Sequence, residues 1–191
     1  MIRCYVTDRR SLPSGETLLG AIARNLGGGA DWIQIREKDL SAKALFDLVV
    51  AALSLPNPNG VKFLVNTRVD VALAANAAGA HLPSDSPSPA HWRRITPAGF
   101  LLGISCHSID DLKLAERDGA DYALFGPVFA PISKTSALPA VGLKGLSQAV
   151  KAVRIPVIAL GGITEQNAPS CTDAGASGIA GISLFQSRHS C

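Results

Sequence analysis

A Gly-Ala pair recurs four times along the chain, at Gly29-Ala30, Gly79-Ala80, Gly119-Ala120 and Gly175-Ala176. Each pair follows a stretch with helical spacing of apolar residues and precedes a short apolar run. Glycine supplies the left-handed conformation that ends a helix, and the next strand can begin at once. A chain punctuated in this way alternates helix and strand, and its strands must lie parallel with helices packed outside them. Reading outward from these marks predicts eight strands, at residues 3–7, 32–36, 62–66, 80–82, 101–104, 122–125, 156–160 and 179–182. Eight is the number that closes a parallel α/β sheet into a TIM (β/α)8 barrel. A doubly wound open sheet is the rival arrangement, and the count favours the barrel.

The predicted helices include 17–26, 41–53 with Ser41 as its N-cap, 69–76, 91–95 and one carrying Ile109, Leu112 and Leu114. Only nine residues (191−182) follow Ile182, so a short or truncated C-terminal helix is expected. A wall left bare by that helix suits a homo-oligomer in which a second copy covers it. The 191 residues fit one domain, 1–191. Hydrophobic residues make up 47% and aromatic ones only 5%, an aliphatic composition that suits buried parallel strands.

A net charge of +3 without a Lys/Arg run gives no footprint for nucleic acid. No apolar run approaches the roughly 20 residues of a membrane span, and the N-terminus has no signal-peptide pattern. A soluble cytoplasmic protein is expected. Cys4, Cys106, Cys171 and Cys191 form no C-x-x-C pair and no zinc-ligand spacing, so no metal site is expected from them.

In a parallel barrel the residues just past the strand ends meet the ligand. After strand two, alternation puts Gln34, Arg36 and Lys38 on one side, three donors suited to phosphate or carboxylate. The competing reading is a solvated salt-bridge strip with Glu37 and Asp39. Asn66 ends strand three, and Ser84, Asp85 and Ser86 follow strand four. His107 follows strand five, where a histidine can take and return a proton near neutrality. Its competing role is a cap for the helix beginning after Ser108. Lys134 is the usable cation of the loop after strand six. Gly161 and Gly162 follow strand seven, and Ile182 and Ser183 end strand eight. These last two loops of a barrel commonly bind phosphate on backbone N–H groups.

Several of these stretches resemble the family that joins thiamine phosphate synthase and TenI-type thiazole tautomerase. They are Gln34-Ile35-Arg36-Glu37-Lys38, Val65-Asn66-Thr67-Arg68-Val69-Asp70, Gly103-Ile104-Ser105-Cys106-His107-Ser108, Gly126-Pro127-Val128-Phe129 and Ile158-Ala159-Leu160-Gly161-Gly162-Ile163-Thr164. The resemblance implies a barrel binding a thiazole phosphate, with Gly161, Gly162, Ile182 and Ser183 on the phosphate. In the synthase, Gln34, Arg36, Lys38, Asn66 and Lys134 would also hold a pyrimidine pyrophosphate, and magnesium would be bound by carboxylates. Here Thr67 and Ser86 stand where the family pattern has aspartates, and Asp85 survives one residue away. On that departure the expected activity is the metal-free tautomerase, with His107 as the proton shuttle and no cofactor. A synthase using magnesium at Asp85 and a non-catalytic or regulatory thiazole phosphate-binding protein are the alternatives.

Overall fold

Eight parallel strands pair in chain order and close on themselves, the last pairing with the first. The structure, a computed structural model, describes residues 1–130 and 139–187. The strands are β1 (Ile2–Val6), β2 (Trp32–Ile35), β3 (Lys62–Asn66), β4 (Gly79–Leu82), β5 (Leu101–Cys106), β6 (Tyr122–Phe125), β7 (Val157–Leu160) and β8 (Gly178–Gly181). The helices are α1 (Leu18–Leu26), α2 (Ala42–Leu53), α3 (Val69–Ala74), α4 (Pro89–Arg93), α5 (Ile109–Arg117), α6 (Gly142–Ala152), α7 (Ala168–Asp173) and α8 (Ser183–Gln186). The barrel expected from the Gly-Ala punctuation is the fold observed.

Successive side chains on a strand face opposite ways, so each strand supplies two cores. Cys4, Leu64, Tyr122, Leu124, Ile158 and Ala180 fill the barrel interior. Ile33, Ile35, Val65, Leu102, Phe125 and Ile179 face outward and bury the helices' apolar stripes. The interior is crowded enough to dictate one glycine. A Cβ on Gly103 would stand 1.9 Å from the Tyr122 ring, so only glycine at that point of β5 lets the tyrosine lie across the barrel.

The helix starts follow their caps. Thr17 and Ser41 accept from the amides of Gly20 and Ala44, and Ser108 with Asp111 forms a capping box on α5. α4 begins at Pro89, earlier than its apolar spacing predicts, because proline at the first helical position is already set to helical φ. β5 runs on to Cys106, so the strand extends through Ser105. α6 and α7 fall in stretches where no helix was predicted. α7, at six residues rich in Ser, Thr and Pro, has little helical pattern to detect. α8 is a single turn, as its place near the chain end suggested. Among the described residues no helix is long and apolar enough to cross a membrane.

Candidate active site

A cavity of about 680 Å³ opens at the C-terminal ends of the strands, lined among others by Arg36, Lys38, Asn66, Asp85, Ser105 and His107. Four consecutive strands, β2 to β5, deliver these six side chains, which the sequence spreads over 72 positions (107−36+1). Gln34 lies one layer deeper and is 2% exposed. Its Nε2 donates to Asn66 Oδ1 at 2.8 Å, and Asn66 Nδ2 donates on to Thr67 Oγ1 at 2.9 Å. The Gln34 Oε1 atom is buried with no partner among the described residues, an acceptor left for a ligand.

The charges at the mouth are sorted between two shells. Glu37 and Asp39, which could have neutralised Arg36 and Lys38, belong instead to the arginines that follow β1. Arg9 Nη1 lies 3.0 Å from Glu37 Oε2, Arg9 Nη2 lies 2.5 Å from Asp39 Oδ2, and Arg10 Nη2 reaches the same oxygen at 2.8 Å. The Arg9 hydrogen bonds hold the Asp39 carboxyl down at about 2. Asp70 is likewise held below the usual carboxylate range by its ion pair with Arg68. Arg36 and Lys38 are therefore left without a carboxylate partner among the described residues, and both face the cavity. The salt-bridge strip expected as the competing reading exists, but on the other side of the segment.

Thr7 ties the two shells together. Its hydroxyl donates to Glu37 Oε1 at 2.7 Å and accepts from the Arg36 amide at 2.9 Å, fully buried. The Arg9 amide also donates to Glu37, at 3.2 Å to each oxygen. Sequence reasoning missed Thr7 and Arg9. The available signal was the run Asp8-Arg9-Arg10 immediately after a strand, where a barrel places its ligand loops.

His107 stands at the rim with its ring Nδ1 2.6 Å from the Gly126 carbonyl oxygen. A carbonyl only accepts, so Nδ1 carries the proton and Nε2 of the neutral ring is an acceptor. Only the His107 backbone takes part in capping, donating to Asp111 at 2.9 Å. Lys134 lies outside the described residues.

A second compartment of about 360 Å³ adjoins the first and shares Leu160 with it. Gly161, Gly162, Ile182 and Ser183 all line it, so the four residues expected on phosphate come together. Gly161 and Gly162 adopt φ of 98° and 63°, conformations that favour glycine. Asn167 pins the loop, its Nδ2 donating to the Gly162 carbonyl at 2.9 Å and its Oδ1 accepting from the Thr164 amide at 2.8 Å. Ser183 opens α8, so first-turn amides there lack intrahelical partners. A Cβ on Gly162 would stand 2.6 Å from the Ala130 carbonyl and 2.7 Å from Phe129. Gly162→Ala is expected to destabilise the protein by about 1–2 kcal/mol, seen in thermal melts, and to weaken binding of inorganic phosphate in titrations.

The site is thus a closed parallel barrel whose mouth carries Arg36 and Lys38 beside a second compartment built on Gly161 and Gly162. Residues 4–185 match the family model described as thiamine monophosphate synthase, and the chain belongs to that family of thiamine-pathway enzymes. It is 42% identical over 180 residues to a protein of Geobacter sulfurreducens named putative thiamine-phosphate synthase, covering 94% of this chain and 84% of that one. It is 41% identical over 182 residues to the thiamine-phosphate synthase of Chlorobium luteolum, covering 95% and 84%. Among solved structures, thiamine phosphate pyrophosphorylase from Pyrococcus furiosus superposes with a TM-score of 0.85 at 32% identity, over 98% of this chain and 88% of that one.

These relatives overturn the expectation of a thiazole tautomerase. Proteins about 40% identical over nearly the whole chain carry the synthase name. Thr67 and Ser86 do not by themselves decide the activity. Asp85 lines the mouth together with Thr67, and magnesium takes one or two carboxylates with the remainder supplied by substrate phosphates.

Proposed function

We propose that this chain is a thiamine phosphate synthase, a transferase that joins a hydroxymethylpyrimidine pyrophosphate to a thiazole phosphate. The observation that supports the reading is a pair of contiguous compartments sharing Leu160, one lined by Arg36 and Lys38 and the other by Gly161, Gly162 and Ser183. An isomerase with one phosphorylated substrate needs one cradle, whereas a coupling of two phosphorylated substrates needs two, side by side.

In that reaction the bond from the pyrimidine methylene carbon to the pyrophosphate oxygen breaks, and pyrophosphate leaves with the electron pair. The thiazole nitrogen lone pair forms the new bond to that carbon, giving the thiazolium product. Negative charge accumulates on the leaving group, and Arg36 and Lys38 face the cavity to receive it. Gly161, Gly162 and Ser183 hold the thiazole phosphate on backbone amides. Asn66, itself oriented by Gln34, offers its amide to the first compartment. The coupling transfers no proton, so His107 has no shuttling to do and serves as a polar wall with an acceptor nitrogen.

The donor set at the mouth fits magnesium that arrives with the pyrophosphate. Asp85 makes no hydrogen bond or ion pair with the described residues, and the Thr67 hydroxyl lies in the same wall. Among the described residues no group of three or more metal-ligating side chains stands ready to hold an ion by itself. Bound there, magnesium would neutralise pyrophosphate oxygens.

The test is coupling itself. Purified protein with both substrates and magnesium is expected to form thiamine phosphate, followed by chromatography. Asp85→Asn is expected to raise the magnesium concentration needed for half-maximal rate about tenfold or more. Failure to couple, with tight thiazole phosphate binding retained, would instead mark a non-catalytic binding protein.

A further inference from the structure

Below the floor of the mouth, three neighbouring strands contribute one row: His81 from β4, Gly103 from β5 and Tyr122 from β6 are in register with one another. Gly103 gives up its side chain to the Tyr122 ring, and Trp32 packs its edge against that ring at 4.8 Å. Tyr122 is fully buried and His81 is 1% exposed. The Tyr122 hydroxyl lies 3.2 Å from His81 Nδ1, and His81 Nε2 lies 2.9 Å from the Ser105 hydroxyl. Ser105 is half-buried and lines the cavity.

The protons in this row can be placed by elimination. Burial holds the tyrosine hydroxyl protonated and holds His81 neutral, its pKa pushed down to about 3 by desolvation with the Arg36 charge adding to it. One imidazole nitrogen therefore carries a hydrogen. If that were Nδ1, it would donate to the tyrosine oxygen. The tyrosine hydrogen would then be left to the apolar interior. Among the described residues that hydrogen has no other acceptor, and a buried donor left unpaired is costly. The arrangement without an orphan has Tyr122 donating to Nδ1 and Nε2–H donating to Ser105. Ser105 then cannot turn its own hydrogen back toward His81, and the open direction is the cavity.

We propose that His81 and Tyr122 are positioning residues that lock the Ser105 hydroxyl as a hydrogen-bond donor aimed into the cavity, at an anionic oxygen of the pyrophosphate-bearing substrate. The choice of acceptor rests on the synthase reading above; the locked tautomer does not. The dry row below the mouth fixes the polarity of a group that water would leave free to accept or donate.

Two measurements separate the parts. Nitrogen-15 NMR of the histidine-labelled, ligand-free protein at neutral pH is expected to show His81 with the proton on Nε2 and a bare Nδ1, its signals identified by their loss in His81→Gln. A proton on Nδ1, or an imidazolium, overturns the proposal whatever the enzyme's activity. Tyr122→Phe keeps the ring that fills the space beside Gly103. It is expected to lower kcat/KM for coupling about tenfold, and that loss is expected to vanish when Ser105→Ala is already present. An equal loss in both backgrounds overturns the route through Ser105. An inactive parent enzyme with the expected tautomer would count against the synthase reading alone.

Discussion

Replacing Arg36 by alanine is expected to lower kcat/KM for the coupling about 10²–10³-fold while leaving the fold intact, the magnitude seen when one preorganised donor is removed from a developing negative charge. Its guanidinium reaches the cavity, and the two nearest carboxylates in sequence, Glu37 and Asp39, are bound to Arg9 and Arg10. A cation held in that way has its field directed at the ligand rather than at a neighbour. Losing it breaks no ion pair among the described residues, so the melting temperature should stay close to that of the parent. Arg36→Lys is expected to recover only part of the rate, because an ammonium cannot make the two parallel bonds that a guanidinium offers a phosphate. Steady-state kinetics at several ionic strengths check the assignment, since the salt dependence should weaken with the charge. An alanine variant with undiminished kcat/KM would reduce Arg36 to a surface charge.

The architecture was legible because its signals are local. Gly119 and Gly175, with φ of 82° and 99°, mark helix ends, whereas Gly79 already belongs to β4 and Asn76, with φ of 55°, makes the turn after α3. In each case the apolar run that follows is a strand. The mouth residues were legible for the same reason, since a residue's place at a strand end is a matter of counting along one segment. What sequence reading missed is pairing across segments. Arg9 meets Glu37 across 28 positions, and Tyr122 meets His81 across 41. No spacing rule links such residues before the strand order is known. Gly103 within β5 carried a partial signal, because glycine inside a strand often makes room for something, but not for what. The activity failed differently. Thr67 and Ser86 carried the tautomerase expectation, yet a metal carried by its substrate depends less on any one carboxylate than a preformed cage does.

Glu37 is where the loss of stability should be largest. Its side chain is 2% exposed and accepts from the Thr7 hydroxyl, the Arg9 amide and the Arg9 guanidinium. Glu37→Ala would strand the Thr7 hydroxyl and the Arg9 amide, and the expected cost is about 2–3 kcal/mol, read from denaturant unfolding. Arg9 keeps Asp39, so the guanidinium is not left alone and the loss stays short of that for an isolated buried charge. Glu37→Gln keeps one acceptor oxygen but turns an amide donor toward Arg9, so it should lie between alanine and the parent. The kinetic consequence follows from Thr7, which holds the Arg36 amide and Glu37 at once. With that tie loosened, Arg36 and Lys38 lose their fixed direction, and KM for the pyrimidine pyrophosphate should rise more than KM for the thiazole phosphate. That asymmetry is the deciding readout. A general loosening of the barrel would weaken both compartments, whereas a loss of anchoring at the β2 end should spare the glycine cradle beyond Leu160.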